Sequence, residues 1–304
     1  MTGSKHAFTL SIDWEDFGQL VGRDRFGVVT PPVGDTIARQ TDIILELLDG
    51  AGKKATFFIL GMLAKSRADL VRRIAAAGHE IGLHGSDHRD MRKLSRADAE
   101  ADLRDSQKLV TDIVGGPLFG YRAPYFSVDT SNLYLLEILA EIGLLYDSSI
   151  FPMKLRRYGI ANFNAQDALY RLPNDSEIVE LPLTVAEAFG RRLPVAGGGY
   201  MRLLPKFILN KIFARLHRGG RNVMLYMHPY EFDFQAIDCR TNHPPGHEYP
   251  ALTAFVFNRK WNLFRRSICG KLRDLLRKYD FITCHQKAEY VKRTHRPGIL
   301  ECSK

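Results

Sequence analysis

Short apolar runs alternate with amphipathic stretches along most of this 304-residue chain, and that alternation narrows the fold more than any other feature. Strand-like runs are read at 7–13, 55–60, 80–84, 144–147, 178–181, 222–227 and 281–284. Between them lie helix signals. Ile37, Ile43, Ile44, Leu47 and Leu48 follow a 3.6-residue period. Ser66 with Asp69, and Ser95 with Asp98, read as S-x-x-D starts that cap helices with an apolar face. Residues 133–142 read as another helix, and Pro205 suits a first helical position ahead of Phe207, Ile208, Ile212 and Leu216. Strands that are apolar almost throughout are buried on both faces, so the expected fold class is α/β with a mostly parallel sheet, either a barrel or a doubly wound sheet. In both architectures chemistry collects at the C-terminal ends of the strands.

The unusual polar residues fall at those ends. The first strand runs into Asp13-Trp14-Glu15-Asp16, where three carboxylates in four residues repel one another unless a cation or a proton relieves them. The third runs into His84-Gly85-Ser86-Asp87-His88. Two histidines at i, i+4 can converge on one ion when a turn or compact loop brings both imidazoles to one side. With an acidic strand end they supply two nitrogens and one oxygen, the ligand set of a catalytic Zn²⁺ site. Tyr121-Arg122-Ala123-Pro124-Tyr125 is a further strand-to-loop junction, whose Arg122 can pair with a carboxylate and orient it. Tyr146-Asp147-Ser148-Ser149 ends another strand, and Met227-His228-Pro229-Tyr230-Glu231 the last. His228 is poised as a general acid, with Asp147 the carboxylate expected to raise its pKa.

These five clusters, in this order, resemble the motifs of the NodB-homology polysaccharide deacetylases, carbohydrate esterase family four, over about residues 7–235. The resemblance implies an incomplete (β/α) barrel of about seven strands. It implies Asp13 as catalytic base, His84 and His88 as metal ligands, Arg122 as the group that orients the base, the Tyr125 backbone N–H as an oxyanion donor, and His228 as the acid. The chain departs from the family at its first motif, where Trp14 and Glu15 separate Asp13 from Asp16, so the carboxylate ligand is left as Glu15 or Asp16. The implied reaction is metal-dependent hydrolysis of an N-acetyl group from an amino sugar in a polysaccharide or lipid-linked glycan precursor, with Zn²⁺ or another divalent ion such as Co²⁺ or Ni²⁺. A formyl or cyclic-amide hydrolase on the same site, and a non-catalytic carbohydrate-binding relative, are the alternatives. Pro194-Val195-Ala196-Gly197-Gly198-Gly199-Tyr200, with Arg202-Leu203-Leu204-Pro205, resembles the branch found in bacterial exopolysaccharide gene clusters.

The formal charge of +9 suggests a polyanion partner until it is divided by position. Residues 1–258 are neutral in sum, and 259–296 alone carry 12 Lys and Arg against 3 acids. No nucleic-acid motif accompanies this charge, so no nucleic-acid partner is expected. Phe264, Ile268, Leu272, Leu275, Leu276 and Tyr279 give the segment an apolar helical face, leaving Arg265, Arg266, Lys271, Arg273, Arg277 and Lys278 as its solvent side. The expected organisation is a deacetylase-like barrel over 1–235 and a C-terminal extension over 236–304, whose basic helix packs on the barrel and can touch an anionic membrane surface. His243, His247 and the Pro244-Pro245-Gly246 turn either line the cleft or form a connecting loop. Four widely spaced cysteines and no h-region among the first residues lead to the expectation of a cytoplasmic protein, peripheral on the inner membrane face.

Overall fold

The computed structural model describes residues 6–28, 35–188, 190–240 and 249–300. His243, His247 and the Pro244-Pro245-Gly246 turn lie outside the described residues. The strands of the main sheet are β1 (Phe8–Trp14), β2 (Thr56–Ile59), β3 (Glu80–Leu83), β4 (Gly120–Tyr121), β5 (Tyr146–Asp147), β6 (Ala168–Arg171) and β7 (Glu177–Glu180). A separate hairpin, β8 (Val185–Ala188) and β9 (Arg191–Pro194), precedes β10 (Met224–Met227), β11 (Phe281–Ile282) and β12 (Gly298–Ile299). The order is β10-β1-β2-β3-β4-β5-β7-β6-β12, with β11 pairing the start of β1. From β10 to β7 this is a run of seven parallel strands. Only the β6–β7 pair is antiparallel within the sheet. The incomplete barrel of about seven strands is this run.

The helices follow the connections a parallel sheet requires. They are α1 (Phe17–Phe26), α2 (Thr36–Asp49), α3 (Gly61–Ser66), α4 (Ala68–Ala76), α5 (Arg96–Val114), α6 (Tyr134–Glu141), α7 (Gly198–Met201), α8 (Lys206–Arg218), α9 (Ala251–Asn262), α10 (Ile268–Lys278) and α11 (Cys284–Thr294). Ser95 caps α5, its hydroxyl accepting from Asp98 N. Ser66 does not cap a helix. It ends α3, and its hydroxyl donates to Met62 O one turn back, leaving Arg67 at the start of α4.

Alternating side chains of the strands feed two apolar layers, as a two-sided buried sheet demands. Leu10, Ile12 and Trp14 of β1 join the layer between sheet and helices, where Trp14 Nε1 donates to Thr41 of α2. Phe58, Tyr146, Val179, Met224 and Tyr226 fill the concave side. Cys284, Ala288 and Val291 of α11 belong to that inner layer, and α11 touches β1, β6 and β7. Residues 281–299 thus contribute two strands and a helix to the barrel itself, so the division expected at residue 235 does not coincide with an edge of the sheet.

The tail helix is also shifted from its expected register. Ile268, Leu272, Leu275, Leu276 and Tyr279 are buried as the periodicity implies, but Phe264 is 61% exposed. Phe264 has φ +54°, a left-handed break that ends the 3.6-residue pattern one turn early. Arg265 consequently turns inward instead of facing solvent. Its guanidinium donates to the carbonyls of Tyr230 and Asp233 at 2.5 Å each and to that of Gln235, tying the C-terminal segment to the loop after β10.

Candidate metal and acid–base centre

β1 delivers carboxylates to two different places because its side chains alternate. Asp13 points to the concave side, Trp14 to α2, and Glu15 again to the concave side just past the strand end. Glu15 Oε1 lies 2.6 Å from His84 Nε2 and 3.1 Å from His88 Nε2, all three side chains being buried. Among the described residues these three form the one group of three or more His, Cys, Asp and Glu side chains whose ligand atoms all lie within 4.8 Å of one another. Burial pushes the Glu15 carboxyl up, but the charges and hydrogen bonds of His88 and His84 outweigh it and hold the group well below the usual carboxylate range.

Of the two carboxylates left open by the sequence, Glu15 is the one that stands with the two histidines. Asp16 is the N-cap of α1 and accepts the Gln19 N–H at 2.9 Å. Burial pushes its carboxyl up to about 6, partly offset by the backbone N–H groups of Gln19 and Gly18. A cap of this kind stabilises the helix by about 1 kcal/mol.

The histidine loop is held in its shape from behind. His84 Nδ1 donates to Arg122 O at 2.7 Å, which leaves Nε2 as the nitrogen that faces Glu15. Gly85 has φ +75°, and a Cβ there would come within 3.2 Å of Asp102 Oδ2 and 3.4 Å of Pro124. Asp102, from α5, accepts Ser86 N at 3.1 Å and Arg89 at 2.5 Å, fixing the loop that carries His88. Six non-glycine residues among those described have positive φ, and three of them, His88, Tyr125 and Phe126, border this site. Strain of order 1–3 kcal/mol per residue, concentrated at one place, persists only where the surroundings impose it, and such places are characteristically functional. Tyr125 has φ +57°, packs its ring edge-to-face on His88 at 4.3 Å, and donates its hydroxyl to Asp24.

Arg122 is fully buried and joins three of the motifs. Its Nη1 donates to Asp13 Oδ1 at 2.7 Å and to Ser11 Oγ at 2.6 Å. Its Nε and Nη2 donate to Ser148 O and Ser148 Oγ at 2.9 and 2.8 Å, and its guanidinium stacks 4.3 Å from the Phe58 ring centre. Four of the five N–H donors of the planar fork are thereby used, a geometry that a lysine could not reproduce.

Asp147 is not beside His228, contrary to expectation. It accepts Ser149 N and Ser149 Oγ at 3.0 and 2.6 Å, and Ser149 Oγ in turn accepts Ala123 N at 2.8 Å. The physical reason lies in the sheet order, since the four strands β1 to β4 stand between β10 and β5. Asp147 lies beside the buried Glu180, whose Oε1 accepts from Ile150 N at 3.3 Å. Burial pushes both carboxyls up, and the neighbouring Asp147 charge adds to burial in holding Glu180 well above its ordinary range.

The carboxylate partner of His228 is Glu231, which the sequence reading left without a role. Glu231 Oε2 accepts His228 N at 3.0 Å and lies 3.4 Å from Nδ1. Burial lowers the His228 pKa, but the Glu231 hydrogen bond, then the charges of Glu15, Glu231 and Asp13, outweigh it and push the value up to about 9. The i, i+3 spacing of His228 and Glu231 across one short turn was the available signal. Gly198 makes room for this carboxylate, since a Cβ there would stand 2.1 Å from Glu231 Oε2.

Two imidazole nitrogens and one carboxylate oxygen, converging in a buried loop with its backbone fixed, fit a divalent transition ion such as Zn²⁺, Co²⁺ or Ni²⁺. Residues 30–146, which carry His84, His88, Arg122 and Tyr125, match the polysaccharide deacetylase family. Residues 148–289, which carry His228 and Glu231, match a domain of unknown function (DUF3473). Among curated relatives, a peptidoglycan-N-acetylglucosamine deacetylase of Bacillus cereus is 30% identical over 109 residues, spanning 36% of this chain and 40% of that protein. A chitin deacetylase of Pestalotiopsis is 35% identical over 106 residues, spanning 34% of this chain and 35% of that protein. The matched stretch is thus two fifths or less of either relative's length. Among solved structures, a Mycobacterium smegmatis protein provisionally described as a polysaccharide deacetylase aligns over 99% of this chain and 96% of its own, with TM-score 0.63 and 19% identity. PuuE allantoinase aligns over 95% and 90%, with TM-score 0.60 and 14% identity. Both share the fold. Residues 30–146 thus match the polysaccharide deacetylase (NodB-homology) family, and the fold of these solved structures extends over nearly the whole chain.

Proposed function

We propose that this protein hydrolyses an N-acetyl group from an amino sugar within a glycan. The observation that carries this reading is the convergence of Glu15, His84 and His88 beside the buried Asp13–Arg122 pair, within electrostatic reach of a protonated His228. The relatives named above act on N-acetylglucosamine in peptidoglycan and on chitin, and the polysaccharide deacetylase match over 30–146, which carries His84, His88 and Arg122, supports the same bond type here. The branch resemblance in 194–205 favours a glycan of exopolysaccharide assembly. A reducing, cytoplasmic compartment is part of the reading, because Cys239, Cys269 and Cys284 are buried free thiols.

Glu15 Oε1, His84 Nε2 and His88 Nε2 would hold the divalent ion. When bound, such an ion supplies Lewis-acid polarisation of the amide carbonyl and acidifies water. Asp13 accepts the proton of the water that attacks the carbonyl carbon, while Arg122 and Ser11 fix the carboxylate's direction. The Tyr125 backbone N–H is the oxyanion donor of this scheme. An amide cannot expel its nitrogen as an anion, so the C–N bond breaks as His228 gives its proton to that nitrogen. Acetate and a free amine result.

The state of His228 sets the alkaline side of the pH profile. The group works only when protonated, and a pKa raised to about 9 keeps it so across neutral pH. Activity should therefore fall as pH rises through about 9. Glu231→Gln removes the carboxylate charge that strengthens this hydrogen bond and favours the imidazolium, so the alkaline limb should move down by about one pH unit or more. The test is kcat for acetate and free-amine release from N-acetylated oligosaccharides, measured against pH in both proteins. An unmoved alkaline limb in Glu231→Gln would contradict the assignment of His228 and Glu231. Failure to release acetate from any N-acetylated glycan would contradict the function.

A further inference from the structure

α9 is apolar on both of its faces, and only one of them is covered. Ala254, Phe257 and Trp261 face inward, where Trp261 meets Phe17 of α1 at 5.3 Å and Tyr230 at 5.5 Å between ring centres. Tyr230 in turn stacks on His228 at 5.3 Å, so α9 stands one aromatic layer away from the acid. The opposite face presents Leu252, Phe255 and Val256 at i, i+3 and i+4, exposed by 76%, 63% and 58%. The ridge continues past the helix end through Leu263 and Phe264, both exposed. A helix that is hydrophobic all round is ordinarily buried all round. An apolar ridge at the rim of a site marks an interaction surface.

The surrounding charge says what kind of surface fits. Residues 249–266 contain Arg259, Lys260, Arg265 and Arg266 and no acid. Arg265 is used internally, whereas Arg259, Lys260 and Arg266 are exposed and have no ion pair among the described residues. Large apolar side chains ringed by unpaired cations are the pattern of helices that lie in the plane of an anionic bilayer interface. No described helix is long and apolar enough to cross a membrane, and a contact of this pattern is that of a helix lying on the surface. The cations of α10 are a different group. Lys271 donates to the carbonyls of Met201, Arg202 and Leu204 at 2.8–3.1 Å, and the apolar face of α10 is buried in the barrel.

We propose that the outer face of α9 docks this protein on an anionic lipid surface and turns the mouth of the site toward a glycan carried on a lipid. The second half of this statement rests on the deacetylase reading above, and the first does not. The test uses the full chain and flotation with vesicles of phosphatidylglycerol and phosphatidylcholine, or of phosphatidylcholine alone. Wild-type protein should be retained by the anionic vesicles at low salt and released by high salt. Leu252→Ser with Phe255→Ser removes two large apolar groups from the face and should lower retention at least about tenfold. Arg273→Gln with Arg277→Gln, on α10, should leave retention within about twofold. The α9 variant should also keep wild-type acetate release from a soluble N-acetylated oligosaccharide, while losing about tenfold on an N-acetylhexosamine linked to a polyprenyl diphosphate in anionic vesicles.

Equal retention by neutral vesicles, none by anionic ones at low salt, or an α10 variant as defective as the α9 variant would overturn the docking. So would a dimer in sedimentation that the α9 substitutions dissociate, because the face would then belong to a second copy. Normal acetate release without vesicle retention refutes the docking and leaves the deacetylase reading standing. Vesicle retention without acetate release supports the docking and removes the deacetylase reading.

Discussion

Asp13→Asn is expected to lower kcat for acetate release by about two to four orders of magnitude, with KM and metal content close to wild type. Asn retains an oxygen that can accept the Arg122 Nη1–H now held at 2.7 Å, so the local architecture survives the change. What it loses is the lone pair that takes a proton from water. Kinetics on an N-acetylated oligosaccharide, with a thermal melt of the same preparation, would separate lost chemistry from lost fold. A kcat within about tenfold of wild type would remove Asp13 from the role of base.

Arg122→Leu should be the most destabilising single change at the site. Arg122 is 0% exposed, and its removal leaves the Asp13 carboxylate buried without its cation, with Ser148 O and Ser11 Oγ deprived of donors. Breaking a buried pair from one side costs about 3–5 kcal/mol. That is a large part of the stability of an ordinary domain, about 5–15 kcal/mol. Urea unfolding followed by fluorescence gives the measurement, read from the midpoint at unchanged slope. Arg122→Lys should recover part of the stability, because it returns a charge, and little of the activity, because it does not return the fork. A loss below about 1 kcal/mol in Arg122→Leu would mean that Asp13 is not held by this contact.

The sequence made the site's position legible because a parallel sheet imposes two periodicities at once. Apolar residues on both strand faces announce burial, and any polar cluster that interrupts them must stand at a strand end. That is why Asp13, His84 and His228 could be placed before any contact was known, whereas Arg122 was picked out by its motif and not by an apolar strand before it. What it left open were choices made by tertiary neighbours. Glu15 and Asp16 differ by one residue, and only the helix start at Phe17, which takes Asp16 as its cap, separates their roles. Asp147 and Glu231 are both strand-end carboxylates on the pattern, yet strand order gives His228 to Glu231 and Asp147 to Ser149.

Short or polar elements escaped the same reading. β4 has two residues and no apolar run, and the β8–β9 hairpin carries Glu187, Arg191 and Arg192, so neither shows the signature of a buried strand. The tail misled for another reason. Phe264 continues the apolar spacing of α10 in sequence, but its left-handed backbone puts it outside and brings Arg265 in. Helical periodicity cannot detect its own interruption. The exposed face of α9 was equally hidden, because a helix apolar on both sides reads as a buried one until its neighbours are known.

The measurement that tests the central claim most directly is acetate release together with bound divalent metal, in wild-type protein, Glu15→Gln and Asp16→Ala. The account predicts that chelated wild-type protein releases no acetate and regains activity as Zn²⁺, Co²⁺ or Ni²⁺ is returned. It predicts that Glu15→Gln neither holds the metal nor turns over. Asp16→Ala should retain both, while losing about 1 kcal/mol of stability with its helix cap. Unchanged acetate release after complete metal removal, or metal lost from Asp16→Ala and kept by Glu15→Gln, would contradict it.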